Sequence, residues 1–236
     1  MKYCFDLDET ICATPASRKY AEAVPYIKVV SAINDLYDQG NEITIFTARG
    51  GSSGIDYTEL THNQLQSWGL KYHKLILKKP SYDYFIDDKA INSVDWRNKN
   101  NIKIVGFVAS CFDLLHAGHC LYLKEAKSYC DHLVAGLHVD PSNERANKNK
   151  PIQSLEERKI QLESTKYVDE ILIYNTEQEL ENLIKQVKPD VRFLGSDCQD
   201  KKITGYEYCK NIIYHNRANH IWSSSELRTR IKNDIR

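Results

Sequence analysis

The sequence predicts an α/β protein built as two domains in tandem, each a mostly parallel sheet with helices on its faces. Two observations carry that reading. Short apolar runs alternate with segments whose apolar residues recur at helical spacing, the rhythm of βαβ units. The rhythm then breaks at a polar stretch near residue 100 and starts again. At 236 residues the chain is long enough for two small domains.

In the first domain "KYCFDL" reads as a buried strand. Val24, Ile27, Val30, Ile33 and Leu36 follow at helical spacing, and Gly40 stands where a helix C-terminus favours it. "EITIFTA" is the next strand, "YTELTHNQLQSWG" the next helix, and "KLILK" and "YFID" are two short strands. The polar stretch "DWRNKNN", Asp95 to Asn101, is the expected linker, which sets the domains at 1–97 and 102–236.

In the second domain "IKIVGFVA" and "HLVAGLHV" are strands around the helix that follows Gly118. "SLEERKIQLEST" is a helix with Ser154 as N-cap and Glu157 at the capping-box position. "EILIY", "VRFLG" and "NIIYH" are further strands, and "SSSELRTRIKN" is a terminal helix with a serine N-cap. There is no internal repeat and no low-complexity tract.

Composition narrows the function classes. The 32 Lys and Arg balance the 32 Asp and Glu, which argues against a general binder of nucleic acid or of anionic membranes. No apolar run approaches the roughly 20 residues of a membrane helix, and "MKYCFDLDET" lacks the pattern of a secretion signal. Seven cysteines without a C-x-x-C pair are expected as free thiols in a reducing cytoplasm.

Chemistry concentrates in two places. In open parallel sheets ligands sit beyond the carboxyl ends of the strands. Asp6 and Asp8 lie there on the turn after the first strand, Thr47 ends the second, Lys79 precedes Pro80, and Asp87 and Asp88 close a third apolar run. Together they offer a carboxylate nucleophile, a second carboxyl for proton transfer, a hydroxyl and an ammonium for phosphate oxygens, and acids for Mg²⁺. The order Asp-x-Asp-x-Thr, Thr, Lys, Asp-Asp resembles the haloacid dehalogenase phosphatase superfamily over roughly residues 1 to 95. The resemblance implies that Asp6 is the nucleophile and Asp8 the general acid/base. It implies also that Thr47 and Lys79 bind the phosphoryl group of a phosphorylated small molecule. Asp6, the backbone carbonyl of Asp8, and Asp87 or Asp88 would then hold Mg²⁺. Lys78 is a rival to Lys79, preferred less because the Lys-Pro step fits the family pattern. A non-catalytic docking or dimerisation module is the alternative for this half.

The second place is "FVASCFDLLHAGH", a strand running into a turn and then a helix. Gly118 allows a tight turn, His119 falls in the helix's first turn, and His116 and His119 can face one phosphate over the helix's positive end. Two neutral imidazoles can then stabilise charge at a five-coordinate phosphorus without a covalent bond. A zinc site lacks a third ligand at suitable spacing. His132, His138, His215 and His220 belong to no motif and read as structural.

His-x-Gly-His resembles the nucleotidyltransferase superfamily. "FDLLHAGHCLYLKEAK", "RKIQLESTKYVDEI", "FLGSD" and "WSSSELR" make residues 102 to 232 similar to the glycerol-3-phosphate cytidylyltransferase family and its ethanolamine-phosphate relatives. The resemblance implies two tandem Rossmann-like domains, the second transferring CMP from CTP to a small alcohol phosphate for surface polysaccharide synthesis. It implies catalytic roles for His116 and His119. Lys148 or Lys150, together with Arg158, would meet triphosphate or substrate phosphate. Asp197 would hold the nucleotide, and Ser223, Ser224 and Ser225 would bind phosphates. The family's arginine before Tyr-Val-Asp is Lys166 here, and Arg217 stands one residue out of register with another family arginine. Ser110-Cys111 replaces a usual glycine. The histidine motif does not select the base, so an ATP-using adenylyltransferase is the alternative; "KYVDE" and "WSSSELR" favour cytidine. The resemblance calls for no nucleic acid or membrane partner and allows a homodimer.

Overall fold

The computed structural model describes residues 1–80, 83–145 and 148–234. The chain divides into two compact units, Met1–Lys103 and Ile104–Arg236.

In the first unit β1 (Lys2–Phe5) is followed by a two-residue antiparallel ladder of β2 (Cys12–Ala13) and β3 (Val24–Pro25). Then come α1 (Ile27–Asp38), β4 (Glu42–Phe46), α2 (Thr58–Ser67), β5 (Lys74–Ile76) and α3 (Ser93–Lys99). The main sheet is parallel, ordered β1-β4-β5, with Phe5 opposite Ile45 and Phe46 opposite Ile76. α1 buries Val29, Val30 and Ile33, and Gly40 takes φ +83° just beyond its end, the left-handed geometry that glycine tolerates.

Two expectations fail here. "YFID" is not a strand: Tyr84, Phe85 and Ile86 are exposed, and Asp87 and Asp88 stand in an exposed irregular segment. An apolar run becomes a strand only when a neighbouring backbone pairs with it, and among the described residues none does. The supposed linker is α3. Asn92 accepts a cap bond from the Val94 N–H at 2.9 Å, and Trp96 packs edge-on against Phe5 at 5.1 Å. The asparagines that look like linker residues end the helix instead, Asn101 adopting φ +55°.

The second unit runs β6 (Val105–Ser110), α4 (Ala117–Ser128), β7 (His132–His138), α5 (Leu155–Glu163), β8 (Glu170–Tyr174), α6 (Glu177–Val187), β9 (Val191–Gly195), β10 (Ile212–His215) and α7 (Ser224–Asp234). All five strands are parallel, ordered β10-β9-β6-β7-β8. The capping box of α5 forms as expected. α6 is an element the sequence reading lacks. Its Leu180 and Ile184 join Phe107, Val134, Tyr174 and Cys209 in the core. The order reverses direction at β6, between β7 on one side and β9 on the other, and ligands of such sheets bind in the crevice at that point.

Candidate active sites

A cleft of about 720 Å³ opens beyond the carboxyl ends of β6, β7 and β9, within the range of small-molecule sites. Its lining includes His116, His119, Lys148, Asp197, Arg217 and Ser223 to Ser225. The sequence-predicted groups on the turn, the last helix and the β9 loop are thus brought together.

His116 is the N-cap of α4: its Nδ1 accepts the His119 N–H at 3.3 Å. A ring nitrogen that accepts leaves the proton on the other, so neutral His116 presents Nε2–H as a donor. The two rings stack at 3.8 Å, 19° apart, and Phe112 meets the His119 ring edge-on. Burial pulls the His119 imidazole down from 6.5 to about 3, with the neighbouring His116 and Arg217 adding to it. Burial, then Arg217 and His220, lower His116 too. Two neutral donors at a helix N-terminus suit an anionic phosphate.

That neutrality has a cost at low pH. The unfolded chain protonates His119 near 6.5, whereas the folded chain does not until about 3. Between those values the unfolded state binds more protons, so stability falls as pH drops through the window. At pH 5 the loss amounts to at most about 2 kcal/mol. Thermal denaturation of His119→Gln should show a smaller drop in Tm from pH 7 to pH 5 than the parent. Equal drops would contradict a neutral buried ring.

Gly118 serves a purpose other than the tight turn expected. Its backbone is not left-handed; a Cβ there would instead lie 2.5 Å from the Trp222 carbonyl oxygen and 2.9 Å from His220 Cε1. The glycine lets the segment leading into α7 press against the histidine turn. Gly118→Ala should therefore cost about 1–3 kcal/mol of stability and reduce turnover by displacing Ser223 to Ser225. Unchanged Tm and activity in that variant would refute the contact.

Other groups hold the cleft in shape. Buried Asp113 accepts the Ile152 and Gln153 N–H groups and pairs with Arg228 at 2.6 Å, tying the β6–α4 loop to the α5 approach and to α7. Arg158 is corrected from a phosphate ligand to a backbone clamp. It is 2% exposed and donates to the carbonyls of Cys111, His138, Val139, Gln153 and Ser154. Lys150 does not line the cleft; its carbonyl accepts from Arg228. Lys166 precedes β8, at the amino end of the sheet, and lies over the Tyr167 ring, away from the cleft. Asp197 and Arg217 pair with each other at 3.1 Å on the rim. Ser223 Oγ caps α7 by accepting the Glu226 N–H, and Ser224 Oγ donates to the Asp113 carbonyl.

His138, Glu144 and Glu177 also bring three potential metal-ligating atoms within 4.8 Å of one another. Glu177 is already paired with Arg145, and Glu144 accepts the Glu177 N–H. All seven cysteines are free thiols.

In the first unit Lys79 Nζ lies 3.0 Å from Asp6, while Lys78 is exposed. Asp8 is held from several sides. Arg49 donates from Nη2 at 2.8 Å and Nε at 3.0 Å, Thr14 Oγ1 from 2.5 Å, and Thr47 Oγ1 from 3.5 Å. Arg49, 1% exposed, also donates to Gln64 at 2.6 Å and stacks on Tyr20. The sequence reading missed it, although it follows Thr47 by two residues. Four expected groups converge, but the Mg²⁺ set does not. Asp6 faces Lys79, the Asp8 carboxylate is engaged by Arg49, and Asp87 closes a turn on the Lys89 N–H in the exposed segment it shares with Asp88. These residues do not fit a bound Mg²⁺ in this arrangement. No helix is long and apolar enough to cross a membrane among the described residues.

Comparison with known proteins bears on the second unit. Residues 107–230 match the family described as cytidylyltransferase-like. The bifunctional protein HldE of Campylobacter fetus is 35% identical over 149 residues, 62% of this chain and 31% of that protein. HldE of Campylobacter concisus is 32% identical over 172 residues, 71% of this chain and 33% of that protein. The chain spans about a third of the length of these curated relatives. The crystal structure of the lipopolysaccharide core biosynthesis protein from Thermoplasma volcanium GSS1 aligns with TM-score 0.41 and 29% identity, over 48% of this chain and 97% of that one.

Proposed function

We propose that this chain, which belongs to the cytidylyltransferase-like family, transfers CMP from CTP to a small alcohol phosphate, giving a CDP-alcohol and pyrophosphate. The observation that carries the reading is the His116–His119 pair at the N-terminus of α4, neutral and facing the cleft at the sheet's switch point. A phosphate oxygen of the acceptor attacks the α-phosphorus, the bond from that phosphorus to the oxygen bridging to the β-phosphate breaks, and pyrophosphate leaves. The histidines meet the charge that builds on the α-phosphate oxygens. Lys148 and Arg217, which line the cleft, would meet the remaining phosphates. The lining carboxylates Asp113, Glu177 and Asp197 are each paired with an arginine, so Mg²⁺ would enter on the triphosphate rather than in a cage of side chains. The family resemblance of "KYVDE" and "WSSSELR" supports cytidine over adenine. A pyrophosphate-release screen of each NTP against alcohol phosphates of about two to four carbons tests this. CTP should give the highest turnover; equal or greater turnover with ATP would overturn the cytidine assignment.

The convergence of Asp6, Lys79, Asp8 and Thr47 supports a second activity in the first unit, hydrolysis of a phosphate monoester through an aspartyl phosphate. An Asp6 oxygen would attack phosphorus as the bond to the leaving oxygen breaks and that oxygen takes a proton from water; the Asp8 carboxylate, held by Arg49, would then take a proton from a second water, which releases phosphate and restores the Asp6 carboxylate. By the family resemblance, both units would serve one pathway of cell-surface polymer synthesis.

A further inference from the structure

A second histidine pair lies against the first. His215, at the end of β10, sets its Nδ1 against the Glu125 carboxylate of α4, and its Nε2 lies 3.3 Å from Nε2 of His220. The His220 ring stacks on Trp222 at 5.6 Å and presses its Cε1 edge toward Gly118 in the middle of the catalytic turn. Both rings line the cleft. The hydrogen-bond inventory then fixes the tautomers of neutral rings. A carboxylate only accepts, so His215 donates from Nδ1 and is left with a lone pair on Nε2. His220 must donate from Nε2 to that lone pair, which leaves its own Nδ1 as a bare acceptor. That Nδ1 is buried and has no hydrogen-bond partner among the described residues. A buried acceptor left unpaired is costly, and it is a point where a ligand can be read.

We propose that His220 Nδ1 is a specificity-determining acceptor that takes a hydrogen bond from a substrate hydroxyl beside the transferred phosphate, with His215 and Glu125 as positioning residues that hold it in the accepting tautomer. A lone pair repels phosphate oxygens, so its partner is an O–H on the carbon skeleton next to the phosphate. Such hydroxyls belong to the nucleotide ribose or to the alcohol phosphate. The inference rests on the transferase reading of the cleft.

The test uses the full chain labelled with ¹⁵N in its histidines. Long-range proton–nitrogen spectra of the free protein should show His220 protonated on Nε2 and bare on Nδ1. His215→Phe should release that preference. His220 protonated on Nδ1 in the free parent would overturn the proposal. Kinetics then identify the hydroxyl. The probes are CTP against 2′-deoxy-CTP and 3′-deoxy-CTP, and glycerol 3-phosphate against its deoxy analogues. One deoxy analogue should raise KM about tenfold in the parent, the scale of one hydrogen bond to a buried group, and not in His220→Phe. A change on the nucleotide arm assigns the ribose, and on the acceptor arm the alcohol. Equal KM for every deoxy analogue in the parent would overturn the proposal. Failure of every NTP to release pyrophosphate would instead sink the transferase reading, and the substrate role of His220 with it, whatever the tautomer spectra show.

Discussion

His119→Ala is expected to lower nucleotidyl transfer by roughly 10²- to 10³-fold, the scale of losing one preorganised donor to a developing oxyanion. The effect should fall on kcat more than on KM, because the ring stabilises charge that appears only as the phosphorus becomes five-coordinate. His116→Ala should be at least as damaging, since it removes a donor and also the N-cap that accepts the His119 N–H. Circular dichroism separates that cap loss from a chemical effect. A folded His119→Ala protein with parental kcat would contradict the assignment.

Asp6→Asn is the complementary experiment, with abolition of phosphate-monoester hydrolysis as its expected result. The substitution keeps size while removing the nucleophile, and no covalent phosphoryl intermediate can then form. Nucleotidyl transfer should remain within a factor of about two, because the proposed transfer needs no group from the first unit. Arg49→Met offers a graded control. It takes the donors from Asp8 and leaves Gln64 without its 2.6 Å partner, so it should lose stability as well as turnover. A parent with no phosphatase activity over a broad phosphate panel would favour a docking role for the unit, consistent with Asp87 and Asp88 standing apart from a strand end. Loss of both activities in folded Asp6→Asn would mean that the sites are coupled.

Local patterns proved readable where the physics is local. The five strands of the second sheet are short apolar runs bounded by turns, and the α5 capping box is a four-residue signal that forms as written. α6 carried a similar signal, Thr176 accepting the Glu179 N–H ahead of Leu180 and Ile184, and could have been found the same way. The histidine turn and the Asp6–Asp8 turn were visible because each packs its polar residues into a short stretch of sequence.

What escaped the sequence depends on partners far along the chain. Arg158 looks like a surface or phosphate-binding charge, and only the folded carbonyls of Cys111, His138 and Val139 reveal it as a clamp. Asp113 and Arg228 meet across more than a hundred residues, and no spacing rule connects them. His215 and His220 carry no motif; their meaning comes from Glu125 and from the close approach at Gly118. Lys166 preserved the charge of a family position, yet it sits at the wrong end of its strand to reach the cleft.

The most direct measurement follows the α-phosphorus of labelled CTP when the 236-residue chain is incubated with Mg²⁺ and the alcohol phosphate panel. The account predicts that label passes into a CDP-alcohol in step with pyrophosphate release, only when an acceptor is present, and that the flow largely stops in His119→Ala. Label appearing as CMP at the same rate without acceptor, or passing to product undiminished in His119→Ala, would contradict it.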